Sequence, residues 1–117
     1  MNDRGPAPIL RDATSLAGVL LETLDGCPAY RVLVDRVCRR ALDLHESVIL
    51  ALADDDRHRR LLDADAALQG LRGLLGLARD LSVLSDDDYL GFAEQADRVG
   101  RQLGGWLRRL AAADTMP

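Results

Sequence analysis

Apolar residues recur at steps of three and four along most of this 117-residue sequence, and this spacing limits its fold more than any other feature. Such steps place side chains on one face of an α-helix. Aromatic residues make up only 3% of the chain, so a core must be built from Leu, Val and Ala, which favours helices over sheets. The sequence therefore predicts an all-α fold.

Three clusters of breaking and capping residues divide the chain into four helices. They are Asp25-Gly26-Cys27-Pro28, Asp54-Asp55-Asp56 and Ser85-Asp86-Asp87-Asp88, and the last two are expected to cap the helices that follow them. Because the connections are short, neighbouring helices should run antiparallel. We predict an antiparallel up-down four-helix bundle with a short first helix and three long helices.

The apolar stripes of these helices define the expected core. The members of the four stripes are, in chain order, Leu16, Val19, Leu20 and Leu24; Tyr30, Val34, Val37, Ala41, Leu44, Val48 and Ala51; Leu61, Ala64, Leu68, Leu71, Leu75 and Ala78; and Tyr89, Phe92, Ala96, Val99, Leu103, Trp106 and Leu110. The bundle is expected over residues 13–110. A disordered N-terminal arm is expected over 1–12 and a frayed tail over 111–117.

The second helix is apolar over an unusually wide arc. Four further residues widen its stripe to nearly half of the circumference, namely Cys38, Leu42, Ile49 and Leu52. A helix of this kind is buried on more than one side. In so small a chain, this width indicates a contact between subunits.

Glycines interrupt the last helix around the only tryptophan. Gly100, Gly104, Gly105 and Trp106 lie within seven residues, although glycine costs about 1 kcal/mol against alanine inside a helix. Close approach of another helix is the usual reason for such glycines. We therefore expect Gly100 and Gly104, four apart on one face, to admit a neighbouring helix, and Trp106 to anchor one end of the bundle.

All fifteen basic residues are arginines, although the formal net charge is −4. Several of these arginines share a helix face, and a row of guanidinium groups can bind the phosphates of an RNA backbone. The residues predicted to contact nucleic acid or a protein partner are Arg36, Arg39, Arg40, Arg72, Arg79, Arg101 and Arg108. The alternative is a solvated face with intrahelical pairing, for example of Arg39 with Asp43.

Signals for a metal, a cofactor, a small-molecule substrate or a membrane span are absent from the sequence. His45 and His58 lie on different helices without a nearby ligand partner, and no apolar run approaches the length of a transmembrane helix. Cys27 and Cys38 form no CxxC motif and no secretory signal precedes them, so we expect reduced thiols and a cytoplasmic protein.

One catalytic alternative remains open. Arg40 and His45 form an Arg-x4-His pattern on a helix, which resembles the signature of HEPN-type ribonucleases, themselves small helical bundles. In that family the arginine stabilises phosphate charge and the histidine handles the proton. Residues five apart lie about 140° apart around a helix, which argues against a shared site.

Taken together, the segments resemble the Avd family, the accessory variability determinants of diversity-generating retroelements, over residues 15–109. The clearest match is Gly100-Arg101-x-Leu103-Gly104-Gly105-Trp106-Leu107-Arg108, which resembles the C-terminal motif of the family. Further matching positions are Val19-Leu20-Leu21, Pro28, Arg31, Arg36, Leu71-Arg72, Leu74-Leu75, Leu77-Ala78, Leu81, Leu84-Ser85 and Tyr89. The acidic net charge, Val34 and Gly76 depart from the family's pattern.

This resemblance implies a function and an assembly. Avd proteins are not enzymes, and they form homopentameric rings of four-helix bundles. They bind a reverse transcriptase and its nucleic acid, the template-repeat RNA or its cDNA, and support error-prone cDNA synthesis. A similar bundle acting as a protein-interaction module outside a retroelement is the alternative.

Overall fold

The computed structural model describes residues 7–25, 27, 30–53 and 56–115. Four helices account for nearly all of them: α1 Ala7–Leu24, α2 Arg31–Ala53, α3 Arg57–Asp80 and α4 Asp86–Thr115. No strand occurs in these ranges. The predicted all-α class and the number of helices are confirmed.

Each helix packs against two others, which closes the four into a bundle. α2 lies between α1 and α3, and α4 contacts both α1 and α3. Arg79, near the end of α3, stacks on Tyr89 near the start of α4, while Arg57 at the start of α3 stacks on Trp106 far along α4. These two contacts show that α3 and α4 run antiparallel.

The predicted stripes form the core, except that Tyr89, Trp106 and Leu110 are only partly buried at its edge and that Val19 and Tyr30 are exposed. Every predicted stripe residue from Val34 to Ala78 is buried. Val19 is 38% exposed, since the buried face of α1 runs instead through Ala13, Leu16, Ala17 and Leu20. Tyr30 is 52% exposed, because it precedes α2 in a left-handed conformation with φ of 53° and is not part of the helical face.

The first and the last helix both extend further than the sequence predicted. α1 is the shortest of the four helices, with 18 residues, but it begins at Ala7 and buries Ile9 against the core, so the disordered arm is wrong for residues 7–12. Pro8 lies in the first turn, where a missing N–H costs nothing. α4 continues to Thr115, so the frayed tail is wrong over residues 111–115. Residues 1–6 and 116–117 lie outside the described ranges.

The caps follow the sequence only in part. The Ser85 hydroxyl accepts a hydrogen bond from the Asp88 N–H at 3.0 Å, and three aspartates occupy the first turn of α4, as predicted. Asp56 stands at the N-cap of α3, but its side chain makes no capping hydrogen bond. The predicted Asp54 and Asp55 caps lie outside the described residues.

Candidate nucleic-acid interface

Charge is segregated along α4. Its first twelve residues, Asp86–Asp97, contain five acids and no basic residue, whereas Arg98–Arg109 contains four arginines and no acid. The helix dipole stabilises the three aspartates in the first turn of α4, because acids are favoured near a helix N-terminus. The segment Arg98–Arg109 is basic and lies at one end of the bundle, in a chain of net charge −4.

A cavity of about 590 Å³ opens at this end, where all four helices meet. Pro8, Ile9 and Leu52 supply apolar surface from α1 and α2, and Trp106 supplies an aromatic ring from α4. The other residues that line it are Arg57, Arg101, Gln102, Gly105 and Arg109. We call it the Trp106 cavity, and the arginines Arg57, Arg101, Arg108 and Arg109 the basic end.

Arg57 fixes the position of the tryptophan. Its guanidinium lies 5.3 Å from the centre of the Trp106 ring, and its Nε donates a hydrogen bond to the Ala51 carbonyl at 2.8 Å. A cation over an indole face is attracted to the ring. Trp106 was predicted to anchor the end of the bundle. Its ring is partly buried there and is held in place by Arg57 of α3.

Gly100 has the role that its spacing predicted. A Cβ at this position would lie 2.7 Å from Nη2 of Arg72 and 3.4 Å from Cδ2 of Leu68, both on α3. The missing side chain thus admits α3. Arg72 uses the space to reach α4, where Nη1 lies 2.6 Å from the Asp97 carboxylate and Nη2 donates to the Ala96 carbonyl at 3.3 Å.

The same prediction is wrong for Gly104. A Cβ there would meet only Nη1 of Arg108 at 3.3 Å, and one at Gly105 would meet Nη1 of Arg109 at 3.5 Å and Nη2 of Arg108 at 3.8 Å. No atom of another helix comes as near. Long helical side chains lean toward the N-terminus, so this glycine pair gives two guanidiniums room to lie against the backbone.

The seven predicted contact arginines separate into three groups. Arg101 and Arg108 belong to the basic end and share a groove of about 490 Å³ between α3 and α4, which Asp65 and Asp97 also line. The second group, Arg72 and Arg79, is engaged within the bundle. Arg72 contacts α4 as described above, and Arg79 lies at the opposite end of the bundle, 4.3 Å from the centre of the Tyr89 ring and 3.4 Å from the Asp80 carboxylate.

The third group, Arg36, Arg39 and Arg40, lines a separate cavity of about 430 Å³ on α2. Asp35 and Asp43 lie among these arginines, so the surface is mixed in charge. The predicted Arg39–Asp43 ion pair does not form among the described residues. Arg40 packs against α3, since a Cβ on Gly70 would lie 3.2 Å from its Nε.

Sequence reasoning missed Arg57 and left Arg109 out of the contact set. Arg109 was detectable, since it adjoins Arg108 on the outer side of α4. Arg57 carries no local signal, because it starts α3 and reaches Trp106 only through the closure of the bundle.

The two residues of the ribonuclease pattern do not share the mixed cavity on α2. Arg40 lines the mixed cavity on α2 and packs toward α3, whereas His45 does not line that cavity. Within the described ranges, no three His, Cys, Asp or Glu side chains converge so as to hold a metal ion.

Cys27 and Cys38 are thiols that form no disulfide, and both line one cavity of about 510 Å³ between α1 and α2. Burial, and then the negative charge of Asp35, raise the pKa of the Cys38 thiol. Among the described helices, none combines the length and apolar character needed to cross a membrane.

Comparison with known proteins adds no relative: no family model, no curated protein and no solved structure matches the chain.

Proposed function

We propose that this protein is a non-enzymatic accessory factor of a diversity-generating retroelement, which binds the reverse transcriptase and its template RNA in the cytoplasm and supports mutagenic cDNA synthesis. The Avd-like motif over 100–108 motivates the proposal. The observation that carries it is the basic end, where arginines of α3 and α4 converge around the only tryptophan.

The arginines of α4 are available to phosphate. Arg98, Arg101, Arg108 and Arg109 form no ion pair or hydrogen bond with any part of the chain that the structure describes. Guanidiniums suit phosphate because their planar fork binds two oxygens at once. Such contacts position an RNA but do not read its sequence.

The acidic net charge does not oppose this binding. Asp87 and Arg108 are 21 residues apart on one helix, which corresponds to about 30 Å along the axis. Exposed charges are largely screened beyond about 8 Å at physiological salt. An RNA at the basic end therefore experiences its arginines and little of the aspartate cluster.

The mixed cluster on α2 is the surface that we assign to a protein partner. Two aspartates are interleaved with Arg36, Arg39 and Arg40, and a surface of both signs complements another such surface. The groove of Arg101 and Arg108 also contains two aspartates, but Asp97 is paired with Arg72 there, and Arg101 also lines the Trp106 cavity. We assign these three arginines to the reverse transcriptase, and Arg101 and Arg108, with Arg57 and Arg109, to RNA. Arg72 and Arg79 hold the bundle together.

A ring-like homo-oligomer, a pentamer by resemblance, is part of the proposal. Leu42 and Ile49, seven residues apart on α2, are 48% and 42% exposed in the single chain. Leu21 of α1 is exposed as well. This uncovered part of the wide apolar arc supports a contact between subunits.

The test of RNA binding is the affinity for a single-stranded RNA measured over a range of salt concentrations. If the four arginines of the basic end each neutralise one phosphate, log K should fall with log salt at a slope of about −3. Binding that does not depend on salt, or no binding at any salt, would contradict the proposal.

The partner is tested by co-purification with a reverse transcriptase encoded beside the gene, and by cDNA yield and error rate with and without this protein. The expected result is a stable complex and cDNA whose error rate depends on the protein. A gene neighbourhood without a reverse transcriptase would favour the interaction module instead. For that alternative, the structure offers an apolar cavity of about 570 Å³ around Tyr30, Val32 and Leu77.

A further inference from the structure

The Trp106 cavity combines two kinds of chemistry that phosphate binding alone does not need. Its apolar surface and indole ring can receive a flat, poorly hydrated group, while three guanidiniums stand around it. Among the residues that the structure describes, no carboxylate lines the cavity. A ligand that carries an anion next to a planar apolar body fits this lining.

An unpaired nucleotide meets both requirements. Its base has a face that stacks on aromatic rings and on guanidinium planes, and its phosphate pairs with arginine. A base within a duplex remains stacked on its neighbours and cannot enter such a cavity without leaving the helix. The cavity thus distinguishes single-stranded from double-stranded RNA.

The cavity is organised before a ligand arrives. The hydrogen bond from Arg57 to Ala51 holds the guanidinium over the indole. Gln102, which also lines the cavity, donates from its Nε2 to the Asp12 carboxylate at 2.7 Å. This bond leaves the Gln102 Oε1 buried without a partner among the described residues. A buried acceptor without a hydrogen-bond donor is unfavourable. An N–H group on an entering base could donate the hydrogen bond that the Gln102 Oε1 lacks.

We infer that the Trp106 cavity receives an unpaired base of single-stranded RNA, with the flanking phosphates on Arg101 and Arg109. The inference rests on the proposed RNA binding and specifies the form of RNA that the protein takes. It makes Trp106 a binding residue in addition to an anchor of the bundle.

The test uses the intrinsic fluorescence of Trp106, the only tryptophan in the chain. Three probes of about 12 nucleotides are compared: single-stranded RNA, the same sequence as a duplex, and an abasic strand of equal charge. We expect single-stranded RNA to change the Trp106 emission and to bind about tenfold more tightly than the other two. Affinity is measured separately from a labelled RNA, so that the fluorescence change and the binding are independent readouts.

Two substitutions and one control complete the test. Trp106→Leu should lower single-strand affinity about tenfold and leave duplex binding unchanged, whereas Trp106→Phe, which keeps a ring, should restore most of the loss. Tyr89→Leu is the control, because it removes the ring on which Arg79 stacks at the opposite end of the bundle. It should change the affinity neither for single-stranded RNA nor for the duplex.

The outcomes separate this inference from the function on which it rests. Equal affinity for all three probes, or unchanged affinity in Trp106→Leu, would overturn the base-binding role while RNA binding itself stands. No binding of any probe would overturn both.

Discussion

Gly100 provides the sharpest test of how α3 and α4 are joined. In the change Gly100→Ala, the new Cβ would lie 2.7 Å from Nη2 of Arg72. The guanidinium must move, and its ion pair with Asp97 and its hydrogen bond to Ala96 must weaken. The helix itself would favour the change, because alanine is a better helix former than glycine.

The magnitude follows from these opposing effects. Alanine in a helix interior should add about 1 kcal/mol of stability. The partly exposed ion pair contributes about 0.5 kcal/mol, and the hydrogen bond to the carbonyl about 1 kcal/mol. We therefore expect Gly100→Ala to be close to neutral or slightly destabilising. Gly91→Ala is the matched control on the same helix, because a Cβ there meets nothing within 4 Å, and it should stabilise by about 1 kcal/mol.

Chemical denaturation of four variants tests this reasoning. The free energy of unfolding of Gly100→Ala should fall about 1.5 kcal/mol below that of Gly91→Ala. In an Arg72→Ala background the gap should close, because the atoms that the Cβ displaces are gone. If Gly100→Ala stabilises as much as Gly91→Ala while Arg72 is present, the proposed contact is refuted.

Two further predictions concern α2. The double change Leu42→Ser with Ile49→Ser should lower the mass measured by light scattering toward one subunit of 12.8 kDa while the helical circular dichroism is kept, because both side chains lie outside the monomer core. An unchanged mass would place the subunit contact elsewhere. In a Cys27→Ser variant, the raised pKa of Cys38 keeps its thiol protonated, so the pH midpoint of its alkylation should lie above that of the unfolded chain. Coincident midpoints would contradict this shift.

Helical periodicity predicted the core because burial follows one face of each helix. The stripes of α2 and α3 needed no correction from Val34 to Ala78. The errors lie where the helix itself was misplaced: α1 starts before Pro8, and Tyr30 adopts a left-handed turn. Such ends depend on tertiary contacts, here the burial of Ile9, which a local pattern does not contain.

The candidate interface was only half predictable, for a related reason. The sequence places Arg101 and Arg108 on one side of α4, but whether an arginine is free or engaged depends on what faces it. Arg72 meets Asp97 and Gly100, while Arg57 meets Trp106, across helices that only the fold brings together. Gly104 shows the converse, since its spacing matches a helix contact that the fold does not make.

The salt dependence of RNA binding in two charge-matched variants tests the central claim most directly. One variant carries Arg101→Ala and Arg108→Ala at the basic end, and the other carries Arg36→Ala and Arg39→Ala on α2. The account predicts that the first lowers the magnitude of the salt slope by about 1.4, at about 0.7 for each lost phosphate contact, and that the second leaves it unchanged. Equal slopes in both variants, or a loss confined to the α2 variant, would contradict the assignment of RNA to the basic end.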